Sequence, residues 1–264
     1  MEDTIRDYQH YTTEMRKSLI DKIFFMDKLE SSFQTILDYG CADGTLIGFL
    51  AQNFPEYTFL GYDLNPEMTR LATERFSLPN TRFFSDLDEL RAYLSERQID
   101  PAQVSLNLSS LIHEVYSYGT ETDIQAFWSL VNEFGFGCIT IRDMCLEQAA
   151  HRLSLKEDVL KVRRAFPADK IQQFEACHGS LSDNYQLIHL LMKYRYEQNW
   201  QRECAENYLP LTLEEIAAHL NPSYEIVYFD HYVLPFLQSV VKRDFDITIK
   251  DYTHVKLIMK KKGL

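Results

Sequence analysis

The chain has 264 residues, 45% of them hydrophobic, which is enough to bury one sizeable core. No apolar run approaches the roughly 20 residues that a membrane helix needs, and the charged N-terminus does not fit a signal peptide, so we expect a cytoplasmic protein without membrane contact. The net charge of −12 is concentrated in residues 1–150, which hold 11 basic and 24 acidic residues. This acidity disfavours a nucleic-acid substrate, because a phosphate backbone would be repelled, and favours a small molecule.

Cysteine usage indicates reduced thiols and no metal site. The five cysteines are odd in number and scattered, and none has the Cys-x-x-Cys or Cys/His spacing that suits zinc. They are Cys41, Cys138, Cys145, Cys177 and Cys204.

An amphipathic helix is predicted before the first strand, because apolar residues recur every three or four positions over residues 8–26. One interpretation is a stripe that faces the core. The other is that the first turn covers a ligand, which makes Tyr11 a candidate substrate contact.

From Thr35 onward, short apolar runs alternate with helical stretches. One of these helices has Asn65 as a cap and Pro66 in its first turn, the favoured place for proline. Strands that alternate with helices at this spacing predict a parallel sheet covered on both faces, an α/β Rossmann-like fold. The predicted strands are residues 35–40, 57–63, 82–85, 104–110 and 137–144.

After Met144 the alternation stops, and a mostly helical and polar segment precedes two further strand patterns. We interpret the segment as a helical cap inserted after strand 5, on the substrate side, and the two patterns as a closing β-hairpin. The predicted division is an N-terminal helical cover (1–34), a core (35–145), a cap (146–221) and the closing hairpin of the core (222–264).

The most informative stretch is ILDYGCADG, residues 36–44, a strand that runs into a glycine-containing turn and opens a helix. A sheet of this kind binds ligands at the carboxyl ends of its strands. Asp63 ends the next strand, where a carboxylate accepts hydrogen bonds from ribose hydroxyls. The dinucleotide fingerprint G-x-G-x-x-G fails, because from Gly40 its later positions hold Ala42 and Thr45. Acidic Asp43 at the turn favours a cationic cofactor.

DYGCADG followed by GYDLNPEM resembles the first two motifs of the class I S-adenosylmethionine-dependent methyltransferases. The resemblance covers residues 35–145 and implies a seven-stranded fold that binds S-adenosylmethionine and releases S-adenosylhomocysteine. It implies a cofactor site with Asp38, Gly40, Cys41, Ala42 and Gly44 on the methionine and sulfonium side, Asp63 and Leu64 at ribose and adenine, Asp86 and Leu87 at adenine, and Ser109 at the end of the fourth strand.

His113 and Glu114 follow the fourth strand and are the candidate catalytic residues. A hydroxyl or amine acceptor needs a base, for which His113 has the right intrinsic pKa, and Glu114 would orient it or replace it. The alternative is a histidine that only packs and hydrogen-bonds at a helix start. Tyr116 is either an aromatic wall for the substrate or half-buried surface.

In the predicted cap, Lys193, Tyr196 and Trp200 lie near one helix face. Such an aromatic and basic face suits an anionic or ring-containing acceptor, which makes Tyr196 and Trp200 candidate substrate contacts. Ordinary amphipathic packing explains the same residues.

These patterns predict methyl transfer from S-adenosylmethionine to oxygen or nitrogen of a small-molecule acceptor, by a monomer or a homodimer. One alternative is an RNA or tRNA methyltransferase that uses the basic aromatic helix. The other is a non-catalytic scaffold or regulator with this fold.

Overall fold

A single seven-stranded sheet organises the computed structural model, which describes residues 19–220 and 222–263. The strand order is β3-β2-β1-β4-β5-β7-β6. In chain order the strands are β1 (Thr35–Tyr39), β2 (Thr58–Tyr62), β3 (Thr81–Phe84), β4 (Val104–Ser109), β5 (Cys138–Met144), β6 (Tyr224–Tyr232) and β7 (His254–Lys261).

Helices connect most of these strands. The predicted N-terminal helix over residues 8–26 lies largely outside the described residues. Tyr11, the candidate substrate contact on that helix, also lies outside them. The helices are α1 (Leu19–Lys22), α2 (Thr45–Asn53), α3 (Pro66–Arg75), α4 (Leu87–Glu96), α5 (Ile112–Tyr118), α6 (Glu121–Glu133), α7 (Lys156–Ala165), α8 (Ala168–His178), α9 (Asn184–Lys193), α10 (Trp200–Ala205), α11 (Leu213–His219) and α12 (Pro235–Phe245).

The centre of the sheet is parallel, as the alternation of strands and helices predicts. β1 pairs in parallel with both β2 and β4, and β2 pairs in parallel with β3. The first four residues of β1 are buried, since a parallel strand is covered by helices on both faces. The register places Asp38, near the carboxyl end of β1, beside Gly61 and Asn107.

The start of α3 confirms the predicted cap. The side chain of Asn65 accepts a hydrogen bond from the Glu67 amide at 3.0 Å, and Pro66 occupies the first helical position. Asn65 thus satisfies an amide that the helix itself leaves unpaired, and Pro66 has no amide hydrogen to satisfy.

The C-terminal connection differs from the predicted hairpin, because α12 lies between β6 and β7. Leu237, Val240 and Val241 are buried at helical spacing, and Pro235 begins the helix. In the sheet, β7 lies between β5 and β6.

The chain divides into two compact units, with boundaries that pass through β5 and β7. The first comprises residues 1–109, 136–140 and 258–264, and the second comprises residues 110–135 and 141–257. The second unit has its own apolar core, which contains fully buried Phe174 and Leu190. Within the described part of the chain, no helix combines the length and the apolar character needed to cross a membrane.

Candidate active site

The turn between β1 and α2 is held in an unusual backbone conformation. Gly40, Ala42 and Gly44 have φ angles of 83°, 45° and 73°, in the left-handed region that favours glycine. The amides of Gly40 and Cys41 donate to the carbonyl oxygen of Tyr62 at 2.7 and 3.0 Å. The turn is therefore fixed to the carboxyl end of β2.

Gly44 is required for packing as well as for its φ angle. A Cβ atom at Gly44 would lie 2.8 Å from the Cβ of Ala72 and 2.9 Å from the ring of Phe83. Gly135 offers a matched control, since its φ is 94° and a Cβ there meets nothing within 4 Å.

Gly44→Ala is expected to lower the free energy of unfolding by about 1–3 kcal/mol more than Gly135→Ala, because overpacking adds to the strain of a positive φ. Urea unfolding of both variants measures the difference. Equal losses would mean that the neighbours of Gly44 yield without cost.

Asp63 joins the ends of β1 and β2. One carboxylate oxygen accepts from the Ala42 amide at 2.8 Å, and the other accepts from the Asn65 amide at 2.9 Å. Burial raises the pKa of Asp63, against the lowering effect of these two bonds. Each oxygen keeps further acceptor capacity, so the carboxylate can hold the turn and also receive hydrogen bonds from a diol.

Asp38 is a buried carboxyl group next to the same turn. It is only 5% exposed, and the amide nitrogen of Asn107 donates to it at 2.7 Å. Burial raises the pKa of Asp38 to about 6, although Asn107 and the charge of Lys22 lower it. A positively charged ligand would stabilise its ionised form.

Three buried hydroxyl groups in the first unit are unpaired among the described residues. Thr45 Oγ1, at the start of α2, Ser105 Oγ, inside β4, and Ser109 Oγ, at the end of β4, have no hydrogen-bond partner. An unsatisfied buried hydroxyl is costly, so Thr45 and Ser109, which follow or end strands at their carboxyl ends, are suited to meet the polar atoms of a ligand.

The residues predicted at adenine lie at the ends of β2 and β3. Leu64 directly follows Asp63, and its side chain is 81% exposed. Asp86 is the N-cap of α4 and accepts from the amides of Asp88 and Glu89 at 2.6 and 3.3 Å. The cap gives Asp86 a structural role beside the predicted one, and Leu87 begins the helix.

Asp43 does not offer the free charge that the sequence interpretation gives it. It is 3% exposed, and its carboxylate pairs with the guanidinium of Arg75 and accepts from the Thr45 amide. The charge of Asp43 is thus compensated within the first unit. Asp38 and Asp63 are the carboxyl groups of this site that remain to attract a cationic cofactor.

In the second unit, His113 lies between two carboxylates. Its Nδ1 donates to Asp143 Oδ1 at 2.7 Å, and its Nε2 lies 3.3 Å from Glu206 Oε1. The other oxygen of Asp143 accepts from the Ile112 amide at 2.7 Å. All three side chains are at most 7% exposed, so the cluster is shielded from water.

The surroundings of His113 speak against the predicted role of general base. Burial alone lowers its pKa, but the negative charges and hydrogen bonds of Asp143 and Glu206 outweigh burial and raise the pKa to about 10. At neutral pH both ring nitrogens then carry protons, and a base needs a free lone pair.

Glu206 is shared by several partners. Its Oε2 accepts from the hydroxyl of Tyr118 at 3.1 Å and lies 3.9 Å from Nε of Arg202. These contacts and His113 lower the pKa of Glu206, against the raising effect of burial. Glu114, in the first turn of α5, is half-buried. One of its carboxylate oxygens lies within 4.8 Å of a side-chain nitrogen of His113 and a carboxylate oxygen of Glu206.

The backbone is strained where the second unit begins. Ser110 has a φ of 57°, unusual for a residue other than glycine. Its amide donates to the carbonyl oxygen of Arg142 at 2.7 Å, and its hydroxyl accepts from the Arg142 guanidinium at 3.0 Å. Such strain recurs at functional sites, where neighbouring contacts hold it.

Comparison with protein families matches the part of the chain that contains the glycine turn. A family model described as a methyltransferase domain matches residues 36–114, which include the glycine turn, Asp63 and His113. Residues 36–114 therefore form a methyltransferase domain, consistent with the class I S-adenosylmethionine-dependent methyltransferases. No curated protein matches the sequence of this methyltransferase significantly.

Solved structures are similar to this chain over most of its length. A SAM-dependent methyltransferase from Anabaena variabilis is similar with a TM-score of 0.53 and 14% identity, over 94% of this chain and 85% of that chain. The plantazolicin methyltransferase BpumL in complex with SAH has a TM-score of 0.46 and 15% identity, over 96% and 89% of the two chains. At 14% identity, the likeness to the first of these structures shows the fold alone.

The packing of the methyltransferase speaks against a substrate contact at Trp200. Trp200 is 6% exposed, and its indole nitrogen donates to Gln173 at 3.0 Å inside the second unit. Tyr196 is 38% exposed and remains accessible. Tyr116 is half-buried and accepts from the indole of Trp128 at 3.1 Å.

Lys193 does not form the predicted basic face. It is fully buried, and its ammonium group donates to the carbonyl oxygens of Glu203 and Glu206. Burial lowers the pKa of Lys193 to about 8. The apolar residues of α9 are buried together with Lys193. Helical spacing alone cannot tell whether a lysine on such a helix is buried or lies on a solvated face.

Sequence reasoning missed three buried polar residues of these sites: Asn107, Asp143 and Glu206. Asp143 lies near the end of the apolar strand β5, as Asp38 does in β1, so the same strand-end rule could have found it. Asn107 is a lone amide in the apolar strand β4. Glu206 has no local signal, because only the tertiary fold brings it to His113.

Proposed function

We propose that this methyltransferase transfers the methyl group to an oxygen or nitrogen atom of a small-molecule acceptor. The observation that carries the proposal is the buried group of Asp143, His113 and Glu206 in the second unit. Carboxylates around an imidazole accept hydrogen bonds from a neutral hydroxyl or bind an amine, but they repel a phosphate.

The residues of the first unit suit the cofactor. S-adenosylmethionine, when bound, supplies a methyl group on a positively charged sulfur atom. We assign Asp38 and the turn from Gly40 to Gly44 to its methionine part, since a buried carboxyl group beside a glycine turn fits a cation. Asp63 is assigned to the ribose hydroxyls, and the unpaired Ser109 Oγ to a polar atom of the ligand.

The acceptor side of the proposal rests on residues that follow β4. His113, held on both nitrogens, positions Glu206, and Glu114 lies beside them. Glu114 can receive the proton that a hydroxyl or amine acceptor loses, whereas His113, with a raised pKa, and Glu206, with a lowered pKa, are unsuited to do so. Glu114 therefore takes the role that the sequence analysis gave first to His113.

A nucleic-acid acceptor is disfavoured because the residues predicted to contact it are engaged in the interior of the protein. The ammonium group of Lys193 and the ring of Trp200 are engaged inside the second unit. The chain as a whole carries a charge of −12. A polymer of phosphates gains its affinity from exposed cations that release counterions.

Calorimetric titration with S-adenosylmethionine and S-adenosylhomocysteine tests the cofactor. Saturable binding is expected, and none in a folded protein would favour the scaffold alternative. Methyl transfer from labelled cofactor is then compared between small phenols and amines on one side and RNA on the other. Product with RNA alone, weakened steeply by salt, would overturn the small-molecule assignment.

The affinity for S-adenosylmethionine is expected to fall as the pH drops below about 6, the pKa of Asp38. The sign follows from charge, because protonation removes the carboxylate that attracts the cofactor cation. Calorimetry between pH 5 and pH 8 measures the dependence in the wild type and in Asp38→Asn, which has no charge to lose. An identical pH dependence in the two proteins would remove Asp38 from the cation site.

A further inference from the structure

We propose that His113, Glu114 and Glu206 bind a divalent metal cation. Each offers one ligand atom, and these atoms all lie within 4.8 Å of one another. In the described part of the chain this is the one group of three such side chains with that geometry. The site lies entirely within the second unit.

His113 is oriented as a metal-binding histidine. Its Nδ1 donates to Asp143 at 2.7 Å, which fixes the ring and directs Nε2 toward the glutamates. Histidines that bind metals almost always donate their other nitrogen to a carboxylate or carbonyl group in this way. Asp143 is itself held by the Ile112 and Met144 amides at 2.7 and 2.8 Å, so the orientation is rigid.

The distance from His113 Nε2 to Glu206 Oε1 also fits a shared metal. It measures 3.3 Å, whereas a charge-assisted hydrogen bond between such groups is about 2.7–2.9 Å long. Two ligand atoms at about 2.0–2.2 Å from one ion, at the angles of a tetrahedral or octahedral site, lie about 2.8–3.6 Å apart. The pair is thus spaced as two neighbouring ligands are.

The ligand set selects the kind of ion. One imidazole and two carboxylates suit Mn²⁺, Fe²⁺ or Zn²⁺, and the two negative charges compensate the ion. Tyr118 and Arg202 contact Oε2 of Glu206, so Oε1 faces His113. The cation would take the place of the Nε2 proton of His113, which needs no other change in the contacts of the ring.

Three protein ligands leave coordination positions for water or substrate, as in catalytic rather than structural metal sites. We infer that an oxygen atom of the acceptor takes one of these positions, an inference that rests on the proposed function. A bound hydroxyl loses its proton more easily, so with the metal bound Glu114 would act as a ligand and not as the base.

Titration of the EDTA-treated, full-length protein with MnCl₂, followed by the electron paramagnetic resonance signal of free Mn²⁺, tests the site. One Mn²⁺ per chain is expected in the wild type, with affinity weakened at least tenfold in Glu114→Gln and in Glu206→Gln. Glu203→Gln is the matched control, since it alters a half-buried glutamate of the same segment outside the three ligands, and it should bind as the wild type does.

The variant Asp143→Asn tests whether Asp143 only orients His113 or binds the metal itself. It retains one acceptor for His113 and is expected to weaken Mn²⁺ binding by about 10–100-fold without abolishing it. Circular dichroism shows that each variant is folded. Absence of saturable Mn²⁺ and Zn²⁺ binding in the folded wild type, or equal binding by the wild type and the two ligand variants, would overturn the proposal.

Titration of the same preparations with S-adenosylhomocysteine distinguishes the two proposals. Metal binding without cofactor binding supports the metal site and contradicts the proposed function. Cofactor binding without metal binding contradicts the metal site and leaves the proposed function standing.

Discussion

His113→Ala is expected to lower the free energy of unfolding by about 3 kcal/mol, at the lower end of the range for breaking a buried ion pair. The substitution leaves the carboxylates of Asp143 and Glu206 buried without their shared cation. We expect a loss near the lower end of this range because each carboxylate keeps another hydrogen-bond donor. The Ile112 amide still donates to Asp143, and the Tyr118 hydroxyl still donates to Glu206. Urea unfolding in the presence of EDTA measures the loss without a contribution from metal.

His151→Ala is the matched control. His151 pairs through Nδ1 with Asp183 at 2.8 Å, almost the same distance as in the buried pair, but the two side chains are 37% and 35% exposed. Its loss is expected to stay within about 1 kcal/mol, because water solvates the groups left behind. If the two variants lose the same stability, burial does not determine the energy of the His113 cluster.

Asp63→Ala is expected to raise the dissociation constant of S-adenosylhomocysteine by about 10–100-fold, since a buried hydrogen bond to a charged group contributes about 1.5–3 kcal/mol. The side chain accepts from the Ala42 and Asn65 amides, so its removal also loosens the turn. Calorimetry of the variant beside Asp88→Ala, a change at an acidic side chain that is 89% exposed, gives the loss specific to Asp63.

A ligand without the ribose hydroxyls separates the two effects of Asp63. The wild type and Asp63→Ala are titrated with S-adenosylhomocysteine and with its 2′,3′-dideoxy analogue. If Asp63 binds the ribose, the substitution weakens the parent compound more than the analogue. An equal loss for both ligands would assign the effect to the turn alone and contradict the ribose contact.

The sequence predicted the first unit well because its signals are local. Asn65 and Pro66 sit beside the helix that they begin, and Gly40 and Gly44 lie within the turn that they shape. It predicted the connection between β6 and β7 less well. The buried stripe of α12 spans few turns and lies between two strand patterns.

The alternation of strands and helices, the glycine turn and the acidic residues at the ends of β1 and β2 can all be predicted from the amino-acid sequence. These features depend on hydrophobic period and backbone conformation, which neighbouring residues fix. The compensation of charges, in contrast, became visible in the folded structure alone. Arg75 neutralises Asp43, Lys193 is drawn into the interior by backbone carbonyl groups, and Glu206 reaches His113 from a distant segment. Charge compensation and desolvation depend on neighbours in space, which residue spacing along the chain does not encode.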